Sequence, residues 1–96
     1  MPKGYWVAKA NIFDDEKLSK YGKQAELAIE KFSGRFLVRG GKHETKEGID
    51  FMRNVVVEFD SYDTALEAYN SAEYKKALEL LEGGADRMYA VVEGYD

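Results

Sequence analysis

No cysteine occurs in the chain, which excludes disulfides, thiolate nucleophiles and cysteine-ligated metal. Histidine occurs once, at His43, with no second histidine and no spaced carboxylate cluster to complete a ligand set, so no metal is expected. Basic residues are outnumbered 14 to 18 and never gather into a block, and the net charge is -4. The electrostatic footprint of a nucleic-acid binder is therefore missing, and a membrane-surface role is disfavoured by the same balance. No apolar run approaches the roughly 20 residues of a membrane-spanning helix. The segment Met1 to Trp6 carries one charge but leads into no apolar leader region, and a soluble cytoplasmic protein is expected. Phosphate-binding loops are missing too. Gly40-Gly41 and Gly83-Gly84 match neither a P-loop nor a dinucleotide fingerprint and read as turns, so no cofactor is expected.

What is present is an ordinary globular composition, 45% hydrophobic and 33% charged, over a length that suits one domain spanning residues 1–96. A chain of this size buries only roughly two-thirds of its unfolded surface, so a partner would add stability. The most informative stretch is Arg53 to Phe59, RNVVVEF, whose three consecutive β-branched residues argue for a strand near a sheet centre. Alternation puts Val55, Val57 and Phe59 on one face and Asn54, Val56 and Glu58 on the other. The first face is plain core; the second mixes apolar and charged groups.

The same division appears in the first strand, Gly4 to Ile12, with Trp6, Ala8, Ala10 and Ile12 on one side and Tyr5, Val7, Lys9 and Asn11 on the other. Trp6 is most simply a core residue. Asp14 and Asp15 then cap a helix whose apolar stripe is Leu18, Tyr21, Ala25, Ala28, Ile29 and Phe32, with Gly34 as its C-cap. Arg35 to Arg39 forms a second strand, with Phe36 and Val38 on one face and Arg35, Leu37 and Arg39 on the other. After a polar segment from Lys42 to Met52 comes the RNVVVEF strand, an antiparallel neighbour of the second. Asp60, Ser61 and Asp63 open a helical region with a stripe of Ala65, Leu66 and Tyr69. Ser71 caps a further helix with a stripe of Tyr74, Ala77, Leu78 and Leu81. The last strand runs from Asp86 to Gly94, with Met88, Ala90 and Val92 on one face and Tyr89, Val91 and Glu93 on the other.

This order gives an α+β, ferredoxin-like βαββαβ fold: a four-stranded antiparallel sheet with its helices on one face. The open face is read as Tyr5, Val7, Lys9, Arg35, Leu37, Arg39, Val56, Glu58, Tyr89, Val91 and Glu93. It is too apolar to stay in water and too charged for a solid core, and a second copy packed against it resolves both problems. A homodimer through the sheet face is expected. The RNA-binding version of the fold needs aromatic residues on its central strands for base stacking, where this chain has Val56 and Glu58.

These residues carry a resemblance that runs nearly end to end. Gly4-Tyr5-Trp6, Gly34-Arg35-Phe36-Leu37-Val38-Arg39-Gly40-Gly41, Val55-Val56-Val57-Glu58-Phe59, Tyr69-Asn70-Ser71 with Glu73-Tyr74, and Val91-Val92-Glu93-Gly94 are similar to the uncharacterised bacterial family known as domain of unknown function thirteen-thirty. That family belongs to the dimeric α+β barrel superfamily. The resemblance implies the ferredoxin-like fold and a homodimer joined through its sheets, and implies no established reaction. The chain departs from the family pattern at Asp60 where proline is usual, Ala68 where tryptophan is common, and Leu81 where arginine is common.

Glu58 is the leading candidate for a functional residue, since a carboxylate in an apolar strand is either paired or has the raised pKa of an acid/base catalyst. Its expected partner is a basic side chain on the same face, Lys9 or an arginine, with Lys9 and Arg39 foremost. Arg39 suits a bidentate contact to an anionic ligand or an acidic side chain. His43 is either a proton shuttle or a solvated loop residue. Tyr5 and Tyr89 line a pocket or pack on the partner. The leading reading is a homodimer that binds a small molecule between the open face and the Lys42 to Met52 loop, through Tyr5, Lys9, Arg39, Glu58 and Tyr89. One alternative is a cofactor-independent enzyme, of oxygenase or isomerase type, moving a proton with Glu58 or His43. Another is a structural subunit without a ligand.

Overall fold

The computed structural model describes residues 2–95. Along the chain run β1 (Gly4–Ile12), α1 (Asp15–Lys31), β2 (Arg35–Arg39), β3 (Arg53–Phe59), α2 (Tyr62–Tyr69), α3 (Ala72–Leu81) and β4 (Ala85–Glu93). All strand pairs are antiparallel, in the order β2-β3-β1-β4, and the sheet is open at both edges. This is the ferredoxin-like arrangement expected from the sequence. The RNVVVEF strand and β1 lie at its centre.

Local chemistry sets the helix ends. The Asp14 carboxylate accepts from the Lys17 amide at 3.0 Å. The Ser61 and Ser71 hydroxyls accept from Thr64 and Tyr74 at 3.1 and 3.2 Å. Each such cap contributes about 1 kcal/mol. At the C-terminus of α1 the left-handed residue is Ser33, at φ 58°, rather than Gly34. The Gly34 amide closes the end by bonding back to Ile29 O at 2.8 Å, and glycine is needed there for another reason. A Cβ at position 34 would sit 2.5 Å from the Phe59 ring.

The helices cover one face of the sheet and bury Trp6, Ala25, Ala28, Ile29, Val57, Phe59, Ala65, Ala68, Tyr74 and Ala77 against it. Trp6 is the hub, with ring centroids of Tyr74, Phe59, Tyr89 and Tyr69 at 4.7, 5.0, 5.8 and 6.0 Å. Its indole N–H donates to Ala65 O at 2.9 Å, so the polar edge is satisfied inside the core.

Two face assignments made from alternation are corrected by the register. In β4, Tyr89 lies opposite Ala8 and Val91 opposite Trp6, so Tyr89, Val91 and Glu93 belong to the helix side. Met88, Ala90 and Val92 face outward instead. In β2 a bulge at Leu37 breaks the alternation: Phe36 pairs with Val57, but Val38 pairs with Val56 and Arg39 with Val55. The extra residue turns Arg39 to the helix side and Val38 to the open one. No described helix is long and apolar enough to cross a membrane.

Candidate functional site

On the helix face, β1 presents three rows. Trp6 stands between Val57 and Val91, Ala8 between Val55 and Tyr89, and Ala10 between Arg53 and Arg87. Trp6 contributes a large ring to the first row, whereas Ala8 and Ala10 contribute only methyl groups to the other two. A cavity of about 410 Å³ is left between that end of the sheet and the Leu18 to Ile29 side of α1. Its size is that of small-molecule sites, and its walls are mostly apolar with polar groups gathered in places.

The charged residues lining it are Lys23, Arg39, Arg53 and Arg87 against Asp15 and Glu26. Arg39 is already paired, with Glu26 Oε2 at 2.6 Å, and its guanidinium lies 4.1 Å from the Phe36 ring. Arg87 is held differently. It donates to the Tyr21 hydroxyl at 3.1 Å and lies over the Tyr21 and Tyr89 rings at 5.0 and 4.9 Å. The Tyr21 hydroxyl is 2.6 Å from that of Tyr74, which extends the chain into the core. Among the described residues neither Arg87 nor Arg53 has a carboxylate within 4.0 Å.

Burial opposes the charge of Arg87, but the oxygens of Tyr21 and Tyr74 outweigh it and raise its pKa above the usual arginine value. Burial also raises the Tyr74 and Tyr89 phenols, so both stay protonated and neutral at any ordinary pH. Arg87 thus keeps its positive charge at any ordinary pH.

The open face carries a separate cluster. Glu58 accepts from the Tyr5 hydroxyl at 3.0 Å and forms an ion pair with Arg35, which lies directly opposite it in the sheet. The hydrogen bond from Tyr5, and after it the one from Arg35, hold the Glu58 carboxyl below its ordinary value, while the same bond raises Tyr5. This is the direction of a paired carboxylate and the opposite of the raised value that acid/base work calls for. The partner is Arg35, neither Lys9 nor Arg39: Lys9 lies between Asn54 and Met88, and Arg39 is on the other side of the sheet.

The five residues expected to share a pocket are therefore divided. Tyr5, Lys9 and Glu58 stand on the open face, whereas Arg39 and Tyr89 line the cavity behind it. His43 lies in the segment between β2 and β3, where Nε2 is 3.0 Å from Phe51 O. A hollow beside it is lined by residues of that segment alone, from His43 to Asp50. A bond from the Met52 amide to the Asn11 side chain at 2.9 Å ties the segment to β1, and Phe51 within it is buried. Of the three departures from the family pattern, Leu81 lines the cavity, Ala68 is buried in the core, and Asp60 is a surface residue 3.5 Å from Lys3. Sequence pattern alone does not mark Arg53, Arg87 and Tyr21 as site residues. The signal was available, since Arg53 shares its strand face with Val55 and Val57, but it needs the register to show that Arg87 joins it.

Known proteins place the fold. A protein of unknown function from Rhodopseudomonas palustris superposes with a TM-score of 0.79 at 12% identity, over 99% of this chain and 84% of that one. A dimeric protein of unknown function with a ferredoxin-like fold from Bacteroides fragilis gives 0.61 at 17% identity, over 95% of each. SnoaB, a cofactor-independent oxygenase from Streptomyces nogalater, gives 0.63 at 9% identity, over 100% and 96%. No curated protein matches the chain. The model of one family covers residues 3–95, and the chain belongs to it: the domain of unknown function DUF1330.

Proposed function

We propose that this protein is a homodimer, paired through the open face of its sheet, that binds a small molecule in the cavity between α1 and the sheet of each protomer. The observation that carries the ligand reading is the cavity itself, about 410 Å³ in a chain of 96 residues, floored by alanines and walled by Trp6, Tyr21 and Tyr89. A space of that size left unfilled costs stability, so an occupant repays it. Support for the dimer comes from the open face, where Val7, Leu37, Val38, Met88 and Val92 are exposed, and from the Bacteroides fragilis neighbour, which is dimeric. An enzyme using Glu58 or His43 has less support, because neither residue lines the cavity. The likeness to SnoaB, at 9% identity, carries the fold alone.

Mass spectrometry of protein purified gently, under native and then denaturing conditions, tests the ligand reading. The expected result is a small molecule released from the wild type and not from Ala10→Leu, whose side chain occupies the cavity. Equal release from both would refute the site. Sedimentation tests the dimer: Val56→Asp buries an unpaired charge in the proposed interface and is expected to yield monomers.

A further inference from the structure

We infer that the ligand is an organic carboxylate with a ring-sized apolar body, its carboxylate held between Arg87 and Arg53 at the Ala10 end of the cavity and its body against Trp6 and Tyr89. This rests on the cavity being a ligand site and adds the ligand's chemistry.

Three observations converge. Arg53 and Arg87 are the two cross-strand neighbours of Ala10 and both line the cavity, so a cationic side chain comes from each strand beside a residue that contributes only a methyl group. The lining carries four cationic side chains against two carboxylates in a protein whose net charge is -4, and the one of those carboxylates that is paired, Glu26, is taken by Arg39. Asp15, in the first turn of α1, has no ion-pair partner among the described residues and does not neutralise either free arginine within 4.0 Å.

Orientation favours a planar anion. A guanidinium offers five N–H donors in a fixed fork that matches a carboxylate. Arg87 spends one on Tyr21, and that bond together with the two rings beside it restricts the guanidinium before any ligand arrives. Arg53 makes no hydrogen bond to a described side chain, and its guanidinium lies beside Gly40, where a Cβ would collide with it. An apolar ring completes the fit, since the remaining walls offer aromatic faces and methyl groups.

Isothermal titration of the full chain with benzoate, phenylacetate and 2-naphthoate, each beside its neutral amide, tests this. At least one acid is expected to bind tenfold or more tighter than its amide. Arg87→Gln and, separately, Arg53→Gln are expected to remove that preference, so that each acid binds no tighter than its amide. The second variant keeps the test valid if the first loses fold stability by unstacking Tyr21 and Tyr89. Acid and amide binding equally, with both lost in Ala10→Leu, would overturn the carboxylate inference and leave the cavity as a site. Failure of every probe to bind below about 1 mM would overturn both.

Discussion

Truncation of Tyr89 separates the observed register of β4 from the one that alternation suggests. Tyr89 packs its ring on Trp6, Tyr69 and Tyr74 and receives the Arg87 guanidinium on one face. Removal of a core aromatic side chain costs about 3 to 5 kcal/mol. Tyr89 is half-buried because it also borders the cavity, so Tyr89→Ala is expected near the lower end, about 3 kcal/mol. In a domain of this size each kcal/mol moves the melting temperature by about 4 to 8 °C, so a fall of about 12 to 24 °C is expected. Met88, its neighbour, is 59% exposed on the open face, and Met88→Ala should change the intrinsic stability by about 0.5 kcal/mol or less. Urea melts followed by circular dichroism, at several protein concentrations to remove any contribution from association, give both values. If Met88→Ala proved the more damaging at every concentration, β4 would be out of register by one residue and the cavity wall would be wrong.

The C-terminus of α1 allows a paired test: Ser33→Gly relieves a left-handed residue and should stabilise by about 0.5 to 1 kcal/mol, while Gly34→Ala drives a methyl into the Phe59 ring and should destabilise by about 1 to 3 kcal/mol, both read from urea melts. The folded Glu58 carboxyl lies below its ordinary value of 4.5, so its contribution is fully present above that pH and is lost as the pH falls from there through the folded value. Stability measured from neutral pH downward should therefore fall less steeply in that window for Glu58→Gln than for the wild type, and parallel curves would contradict the pairing with Tyr5 and Arg35. Val57 is fully buried, and Val57→Ala should cost about 1 to 3 kcal/mol in the same melts.

How far the sequence could be read depended on how unequal the two faces of each strand are. In β1 and β3 the helix side carries Trp6, Val57 and Phe59 while the other side carries Lys9 and Glu58, and both strands and both faces were legible. In β4 each face is apolar, Met88 and Val92 against Tyr89 and Val91, so composition does not choose between them. The choice is made by pairing with β1, where the Tyr89 ring fits opposite the small side chain of Ala8. In β2 an inserted residue at Leu37 reverses the alternation, and nothing local announces it. The cavity is not legible in the sequence for a related reason. Ala8 and Ala10 read as core by pattern, yet a core residue with one methyl group leaves space wherever its neighbours do not fill it. Glu58 was legible as paired and on the open face, but its partner was not, because Arg35 meets it only once β2 is in register.

The central claim is that the two faces of one sheet have different tasks, with the ligand behind the sheet and the second copy in front of it. Ala8 and Ala10 point to one side of β1, while Val7 of the same strand and Val56 of its neighbour point to the other. Methyl nuclear Overhauser contacts to a bound 2-naphthoate read the difference directly. Contacts to the Ala8 and Ala10 methyl groups, with none to Val7 or Val56, are the result this account expects; contacts to Val7 and Val56 with Ala8 and Ala10 silent would contradict it.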